Sequence, residues 1–486
     1  MSPFFIFSCF LGYTLLLFII TWITSRKSNN ETFFIGNKAS PWYVVAYGMI
    51  GASLSGVTFM SVPGWVGTTQ WTYLMVVFGY LFGYIVIATI LLPLYYRLNL
   101  TSIYTYLEQR FGFWTHKTGA FFFILSRTIG ASLRMFLVVN VLQIFIFDAW
   151  GIPFWVSVCI FILLIILYTF KGGIRTIVWT DTLQTTFMLA SVILTVFLIG
   201  KDLQLSFQQM FDHVTDMGLT RVISTDWHDR QFFVKQFFSG MFITIVMTGL
   251  DQEMMQKNLS CRTLRESQKN MFSFSFVLVL VNMIFLFLGA ILFLYTAQTG
   301  MDMPLRSDDL FPVISLQQLG PLAGLVFMIG LISAAYPSAD GALTSLTTSF
   351  SIDFLGMNKR KDITEKEKIS IRYLVHLGFA LILLSMIILF RAINDQAVID
   401  KLFTIAGYTY GPLLGLYSFG LFTKLRVKDR YVPLVAVVAP LLCYFISRHS
   451  EFLFGGYKFG FELLIVNGLI TFVGLWTIRK KKSSSQ

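Results

Sequence analysis

A polar stripe that includes an acid is the most chemically suggestive feature of this sequence. It lies in GLISAAYPSADGALTSLTTSFSIDFL, residues 330–355, within a chain that is apolar almost everywhere. At roughly 100° per residue, one helical face collects Pro337, Ser338, Asp340, Gly341, Thr344, Ser345 and Thr348. Because a carboxylate near the bilayer centre costs about 2.5–3.5 kcal/mol on insertion scales, this face should look into protein or a water-filled path. The stripe therefore predicts a polar site, with hydroxyl-mediated helix packing as the alternative.

A second segment, residues 48–64, reads GMIGASLSGVTFMSVPG and combines small residues with hydroxyls. Such a composition permits a broken helix whose freed carbonyls can bind a cation. A close helix crossing is the alternative, because small residues let two backbones approach.

Two arginines lie inside one apolar span, and their spacing of seven places them on the same helical face. Arg127 could extend its charge towards the membrane surface. The deeper Arg134 either pairs with an acid of the protein or holds a substrate carboxylate through two hydrogen bonds.

Acidic and glycine-rich segments supply the remaining candidates. Residues 170–188, FKGGIRTIVWTDTLQTTFM, predict a glycine turn followed by a helix whose N-terminal dipole favours Asp181. Residues 248–262, TGLDQEMMQKNLSCR, place an acidic run where it could serve as a gate, a loop anchor or a ligand. Residues 406–422 contain glycines and a proline that predict a bent or hinged span.

The elements that position these residues are predicted to be membrane helices. The chain is 56% hydrophobic and only 13% charged, which excludes an ordinary soluble protein. Most of its apolar segments have about the 20 residues that a crossing needs, and 312–352 is long enough to include a short helix or loop before its crossing. The thirteen segments are 4–24, 42–62, 72–96, 118–147, 154–170, 176–200, 232–256, 271–296, 312–352, 370–392, 396–422, 431–447 and 459–478.

Basic residues alternate between the predicted loops. Of the 37 lysines and arginines, 26 fall in loops of one side and nine on the other. By the positive-inside rule the N-terminus is outside and the C-terminus inside. The net charge of +12 thus reflects basic loops that set the topology and lie beside anionic lipid in a plasma or inner membrane. It does not indicate a nucleic-acid-binding surface. Four scattered cysteines and the absence of a P-loop, GxSxG or HExxH motif support neither a disulfide framework, a structural metal nor an enzyme.

Five of these segments, in the same order along the chain, resemble motifs of the sodium/solute symporter family. They are GASLSGVTFMSVPGWVG, FKGGIRTIVWTDTLQ, TGLDQEMMQKNLSCR, SAAYPSADGALTSLTTSFSIDF and YTYGPLLGLYSFGLF. The resemblance implies an all-α, leucine-transporter-like fold with an inverted repeat of five plus five helices. The implied units are 1–40 (leading helix and loop), 41–200 (first repeat), 201–231 (extracellular loop), 232–422 (second repeat) and 423–486 (two trailing helices and a basic tail).

The resemblance also implies a sodium site between the first and eighth core helices. Its ligands would be the carbonyls of Gly51 and Leu54, together with Ala334, Pro337 and Ser338. The family usually has a hydroxyl where Pro337 stands. A proline, however, frees the carbonyl four residues earlier, which could compensate or kink the helix.

Some members bind a second sodium between the eighth core helix and an aspartate that matches Asp181. In this chain, the corresponding stretch of the eighth core helix contains Asp340 and Gly341. The family more often has a small residue in place of Asp340. This aspartate is expected to be a charged ligand of that cation or to carry a coupled proton.

The same resemblance indicates residues for the solute. They are Ser53, Ser55, Thr58, Gln70, Tyr73, Arg134 and Arg127. The expected solute is small and polar: a carboxylate such as sialic acid, another organic anion, or a sugar. The leading hypothesis is sodium-coupled uptake by alternating access, and an ion or small-solute channel is the alternative. The solute's identity, the number of sodium ions and the oligomeric state stay open.

Overall fold

The computed structural model describes residues 3–24, 33–34, 36–360, 362–393 and 398–480, which form helices with only isolated β-bridges between them. The helices of eight or more residues in these ranges are α1 (Pro3–Thr24), α2 (Trp42–Ser53), α3 (Gly56–Thr69), α4 (Tyr73–Val86), α5 (Phe113–Leu142), α6 (Phe154–Asp202), α7 (Phe207–Asp216), α8 (Phe233–Thr244), α9 (Gln252–Leu259), α10 (Leu264–Thr299), α11 (Pro321–Ser349), α12 (Glu365–Ile393), α13 (Val398–Phe422), α14 (Val432–Arg448) and α15 (Leu463–Thr477). Shorter α-helices are Leu92–Arg97, Thr105–Arg110, Leu310–Val313 and Ser450–Leu453.

Several of these helices are suited to a bilayer. In the described part of the chain, eight are long and apolar enough to cross a membrane, or up to ten if each of two bent pairs is one span. The protein is therefore a multi-pass membrane protein. The short helix Leu310–Val313 precedes α11, which confirms that the long apolar segment begins with a short element before its crossing.

Two helices are broken within the bundle. The axes of α2 and α3 differ by 54° across the break at Leu54 and Ser55. Those of Phe233–Gly249, which includes α8, and of α9 differ by 65°. At the second break Asp251 caps α9, because its carboxylate accepts the backbone N–H groups of Glu253 and Met254 at 2.9 and 3.3 Å. The broken helix predicted for residues 48–64 is thus confirmed.

A glycine turn interrupts the long helix α6. Gly173 has φ 54° and ψ −152°, a left-handed conformation that residues with a side chain rarely adopt. A Cβ at this position would also lie 2.4 Å from the Cα of Phe33. The turn predicted from the two glycines is confirmed, and it separates the stretch that ends near residue 172 from the helix that contains Asp181.

Helix α11 is buried on every side from residue 330 to residue 349, so its polar stripe looks into protein as expected. Pro337 lies inside this helix, which continues through it to Ser349. Helix α13 likewise continues past Pro412, without a break in the segment where a bend or hinge was expected. Its glycines serve close packing instead: a Cβ at Gly411 would lie 2.2 Å from the Nδ2 atom of Asn467 in α15.

The crossing of α4 and α8 yields a stability prediction. A Cβ on Gly240 would lie 2.0 Å from the carbonyl oxygen of Val76, so Gly240→Ala forces the two backbones apart. Overpacking of this kind costs about 1–3 kcal/mol, and we expect a lower melting temperature of the purified protein. The matched control is Gly378→Ala in α12, where nothing lies within 4 Å of the added methyl group. Equal melting temperatures for the two variants would contradict the prediction.

Candidate ion and solute site

A cavity lies beside the break between α2 and α3. Six of the seven residues predicted to contact a solute line it: Ser53, Ser55, Thr58, Tyr73, Arg127 and Arg134.

The seventh, Gln70, is not brought to the cavity. It follows the last residue of α3 with φ 56° and is not among the lining residues. The next helix begins only at Tyr73. Tyr73 does line the cavity, and its hydroxyl lies 3.0 Å from that of Tyr80.

Sequence reasoning missed several polar lining residues, which are Tyr80, Tyr84, Thr244, Thr248 and Asn282. The Oδ1 atom of Asn282 is buried and has no hydrogen-bond partner in the described part of the protein, while its Nδ2 atom donates to Leu278. An amide in the middle of the apolar α10 was a usable signal, because polar side chains inside a membrane helix are expensive.

The two arginines of α5 have different environments. Arg127 contacts the Oε2 atom of Glu253 and is 5% exposed. Arg134 makes no ion pair with any described residue, and its buried Nε atom has no hydrogen-bond partner there. The expectation that Arg127 extends its charge towards the membrane surface is therefore wrong, because Arg127 is buried against Glu253. Of the two roles expected for Arg134, pairing with an acid of the protein is not observed among the described residues.

Arg127 belongs to a group of four buried charges, here called the charge cluster: Arg127, Asp181, Glu253 and Lys257. The Nζ atom of Lys257 lies 2.7 Å from Asp181 Oδ2 and 3.4 Å from Glu253 Oε1. None of the four side chains is more than 5% exposed. Two cations and two anions balance, which is the condition under which buried charges persist.

Lys257 is another residue that sequence analysis placed wrongly. It was counted among the loop cations that set the topology, but it lies in α9 and is 1% exposed. The spacing of Glu253 and Lys257 by four residues was a signal that they pair on one helical face.

Two glycines bring neighbouring helices against the charge cluster. A Cβ on Gly48 in α2 would lie 3.0 Å from the Cβ of Asp181. A Cβ on Gly341 in α11 would lie 2.3 Å from Glu253 Oε1. One turn beyond Gly48, the N–H of Gly51 donates to Thr185 Oγ1 at 3.0 Å. Of the residues predicted to bind ions, Gly341 thus abuts the cluster directly, and Gly51 lies one turn from the glycine that contacts Asp181.

The residues predicted for the main sodium site lie in α11 and at the break after α2. Gly51 is in the last turn of α2, where carbonyls lack partners within the helix, and Leu54 is the residue at which the helix breaks. Ala334, Pro337 and Ser338 are buried in α11. The Ser338 hydroxyl has no hydrogen-bond partner among the described residues. Carbonyl and hydroxyl oxygens are suitable ligands for an alkali cation.

Asp340 is fully buried in α11, one turn beyond Tyr336. The ring of Tyr336 stacks on that of Tyr13 with centroids 6.4 Å apart. Asp340 is therefore on the part of α11 that packs near α1, while the adjacent Gly341 abuts Glu253.

The acidic run at the start of α9 also anchors neighbouring segments. Asp251 accepts the hydroxyl of Tyr410 in α13 at 2.7 Å. The side chain of Gln252 donates to the carbonyl of Thr101 at 2.8 Å and accepts the N–H of Ile103 at 3.0 Å. Asp251 and Gln252 thus anchor neighbouring segments, which is one of the roles expected for this run. Glu253 instead pairs with buried cations of the protein.

Comparison with known proteins identifies the family. The model of the sodium:solute symporter family matches residues 33–430. The chain belongs to this family. The symporter is 22% identical to the sodium/sialic acid symporter SiaT of Proteus mirabilis (strain HI4320), over 95% of this chain and 93% of that protein. It is 25% identical to the sodium/sialic acid symporter NanT of Aliivibrio fischeri (strain ATCC 700601 / ES114), over 92% and 88%.

The fold of the symporter is also found in a solved structure. A substrate-bound, outward-open Na⁺-coupled sialic acid symporter superposes with a TM-score of 0.84 and 19% sequence identity, and 98% of each chain is covered. The resemblance stated from the five motifs is therefore confirmed.

Family membership decides between the functional alternatives. The protein is a sodium-coupled solute symporter and not an enzyme, and the channel alternative loses its support. Sodium is the coupling ion, and a small solute is the second substrate.

The charge cluster predicts strong coupling between Arg127 and Glu253. Arg127→Gln leaves the cluster with a net negative charge and Glu253→Gln leaves it positive, so each should destabilise by about 3–5 kcal/mol. The double variant restores neutrality and should lose less than the sum, with a coupling energy of about 0.5–3 kcal/mol. Unfolding of all three purified proteins in detergent measures the cycle. Additive losses would show that the two side chains do not stabilise each other.

Proposed function

We propose that this symporter carries a small solute with a carboxylate group and that Arg134 holds that carboxylate. The supporting observation is the contrast within α5: Arg127 is neutralised by Glu253, while Arg134 lines the cavity without an ion pair in the described part of the chain. A guanidinium matches a carboxylate through two parallel hydrogen bonds.

The rest of the cavity offers polar groups to a solute on one side and aromatic rings on another. Ser53, Ser55 and Thr58 provide hydroxyls from the α2–α3 break, and Asn282 provides an amide oxygen without a partner. On another side Tyr73 stacks on Phe403, with ring centroids 6.4 Å apart. Sialic acid combines a carboxylate with several hydroxyls, and it is the solute named for the two bacterial relatives. Another organic anion fits the same reasoning, and a neutral sugar fits it less well.

We further propose that sodium binds between the break and α11. The ligands would be the carbonyls of Gly51 and Leu54 together with Ala334, Ser338 and the carbonyl that Pro337 leaves without a donor. The buried Ser338 hydroxyl without a partner supports this assignment. Pro337 itself has no side-chain oxygen, so one ligand of the usual set is replaced by main chain.

In this mechanism sodium and the solute strengthen each other's binding. Sodium joins α2 to α11 and so favours the conformation in which the cavity is formed. Reciprocity of linkage then requires the solute to increase the affinity for sodium by the same factor. Each positive charge moved inward across 100 mV supplies about 2.3 kcal/mol, before the contribution of the sodium gradient.

The arrangement in the membrane follows from the same proposal. We infer thirteen crossings in the plasma or inner membrane, with the N-terminus outside and the C-terminus inside. The two broken helices are the first members of the proposed repeats 41–200 and 232–422, as an inverted duplication predicts. The segment 201–231 would be extracellular, with 1–40 and 423–486 flanking the core.

Asp340 would act beside Asp181 and Gly341, the residues expected at a second ion site, either as a charged ligand or as a proton carrier. Its complete burial supports a functional role, because ionisable side chains inside a membrane are rarely retained for packing alone.

The carboxylate assignment predicts the effect of Arg134 variants on uptake. A hydrogen bond to a charged group is worth about 1.5–3 kcal/mol, so Arg134→Ala should lower sodium-driven uptake of sialic acid into proteoliposomes by about ten- to a hundredfold. Arg134→Lys should retain part of the activity. The exposed Arg430→Ala is the control, and the methyl ester of the solute should be transported poorly by every variant. Undiminished uptake by a folded Arg134→Ala protein would rule out this role.

The sodium assignment predicts a thermal shift. A ligand that binds only the folded state stabilises it by about 2.7 kcal/mol at a hundredfold excess over Kd. We expect sodium to raise the melting temperature above that in potassium at equal ionic strength, and Ser338→Ala to remove the rise. Ser345→Ala is the matched control, because the Ser345 hydroxyl already donates to the carbonyl of Ala342 at 3.0 Å. A sodium-dependent rise that survives Ser338→Ala would move the site elsewhere.

A further inference from the structure

A second pocket lies where the ends of α3, α8, α13, α14 and α15 meet. None of the residues that line it also lines the cavity beside the α2–α3 break. The polar residues of its lining are Arg230, Gln236, Asp400, Thr404, Tyr408 and Ser447. A concave space with several convergent polar groups is typical of a ligand site.

Four aromatic rings stand between the second pocket and the cavity. Trp65 and Phe461 line the pocket, whereas Tyr73 and Phe403 line the cavity. The ring centroids are 5.9 Å apart for Trp65 and Tyr73 and 6.4 Å apart for Tyr73 and Phe403. They are 4.9 Å apart for Phe403 and Phe461 and 6.0 Å apart for Phe461 and Trp65. The rings thus form a shared wall, so that the pocket and the cavity can each hold a molecule.

Gln236 indicates one group that a ligand of the second pocket should have. Its side chain is buried, and its Nε2 atom donates to the carbonyl of Arg230 at 2.9 Å and to Gln231 Oε1 at 3.1 Å. Both amide hydrogens are therefore used, and the orientation of the amide is fixed. The buried Oε1 atom has no hydrogen-bond partner in the described part of the chain. Because a buried acceptor without a donor is costly, a ligand hydroxyl or N–H group would be stabilised there.

The charged residues of the second pocket indicate the other groups. Arg230 is exposed, and its guanidinium can hold a carboxylate through two hydrogen bonds. Asp400, Thr404 and Tyr408 follow each other at intervals of four residues, so they share one face of α13. A carboxylate and two hydroxyls therefore line one side of the pocket and can bind the hydroxyls of a ligand. The lining as a whole matches a hydroxylated carboxylate.

We propose that the second pocket binds the same solute that the symporter carries, with the solute carboxylate at Arg230 and a solute hydroxyl at Gln236. The proposal rests on the proposed function for the class of solute. A solute held here is separated from the cavity only by the four rings and enters it when they move apart. Binding does not require sodium, because none of the residues proposed to bind sodium lines this pocket.

Protection of a cysteine placed in the second pocket tests the proposal. Thr404→Cys is combined with Cys9→Ser and Cys159→Ser, which remove the two partly exposed native cysteines, while Cys261 and Cys443 are buried. The measured quantity is the rate at which a charged methanethiosulfonate reagent modifies the purified protein in detergent, with and without sialic acid. Bound solute slows the reaction by a factor of 1 + [L]/Kd, so we expect a slowing of about tenfold at roughly ten times the KM for uptake. The slowing should be equal in sodium and in potassium.

Matched variants show whether Arg230 is responsible. Arg230→Gln should raise the half-protecting concentration of sialic acid by about tenfold, because the charged hydrogen bonds to the carboxylate are lost. Arg221→Gln is the control, since Arg221 is an exposed arginine of the same segment that does not line the pocket. The exposed Thr215→Cys in α7 should not be protected. If Thr404→Cys does not fold, Ser447→Cys in α14 replaces it.

Three results would overturn the proposal. The first is an unchanged rate of modification at that concentration of sialic acid. The second is protection that occurs in sodium but not in potassium. The third is the same half-protecting concentration for Arg230→Gln and Arg221→Gln.

Arg134→Ala separates the second pocket from the proposed function. Protection of Thr404→Cys should persist in an Arg134→Ala background, whereas its loss would show that the cysteine reports on the cavity and would overturn the proposal. Persistent protection with undiminished uptake by Arg134→Ala would support the second pocket and reject the role of Arg134. Uptake that depends on Arg134 while Thr404→Cys is not protected would reject the second pocket alone.

Discussion

Neutralising charges inside a membrane protein is the constraint on which this structure depends. Arg127, Asp181, Glu253 and Lys257 come from α5, α6 and α9, and each is removed from water. Breaking one buried pair costs about 3–5 kcal/mol, so the three helices are held in one arrangement. Gly48 and Gly341 then allow α2 and α11 to approach the cluster closely. The residues proposed to bind the ion and the solute are positioned by helices that this cluster fixes.

The same cluster determines the charge of the cavity. Two arginines line it, but Glu253 neutralises Arg127 and leaves Arg134 as the cation that a solute can meet. Under the proposed function, a cavity with one net positive charge matches a singly charged anion. Glu253 would then act on the solute without lining the cavity, because it neutralises the charge of Arg127.

Sequence periodicity predicted the polar stripe of α11, the break after Ser53 and the turn at Gly173, because each depends on local composition. It could not place Lys257, since a lysine near the end of an apolar span looks the same whether it meets lipid headgroups or a buried acid. Only the tertiary fold brings Asp181, 76 positions away in the chain, to 2.7 Å from it. For the same reason the glycines near residue 411 suggested a hinge, whereas Asn467 of a distant helix fills the space beside them.

The short helix α9 connects the two halves of the site. It carries both Glu253, which pairs with Arg127 beside the cavity, and Lys257, which pairs with Asp181 near the residues proposed to bind ions. Asp251, which caps this helix, also accepts a hydrogen bond from Tyr410 in α13. Any movement of α9 relative to α5 and α6 strains both ion pairs at once. Because an intermediate position would leave several buried charges without partners, the energy favours discrete end states, as alternating access requires.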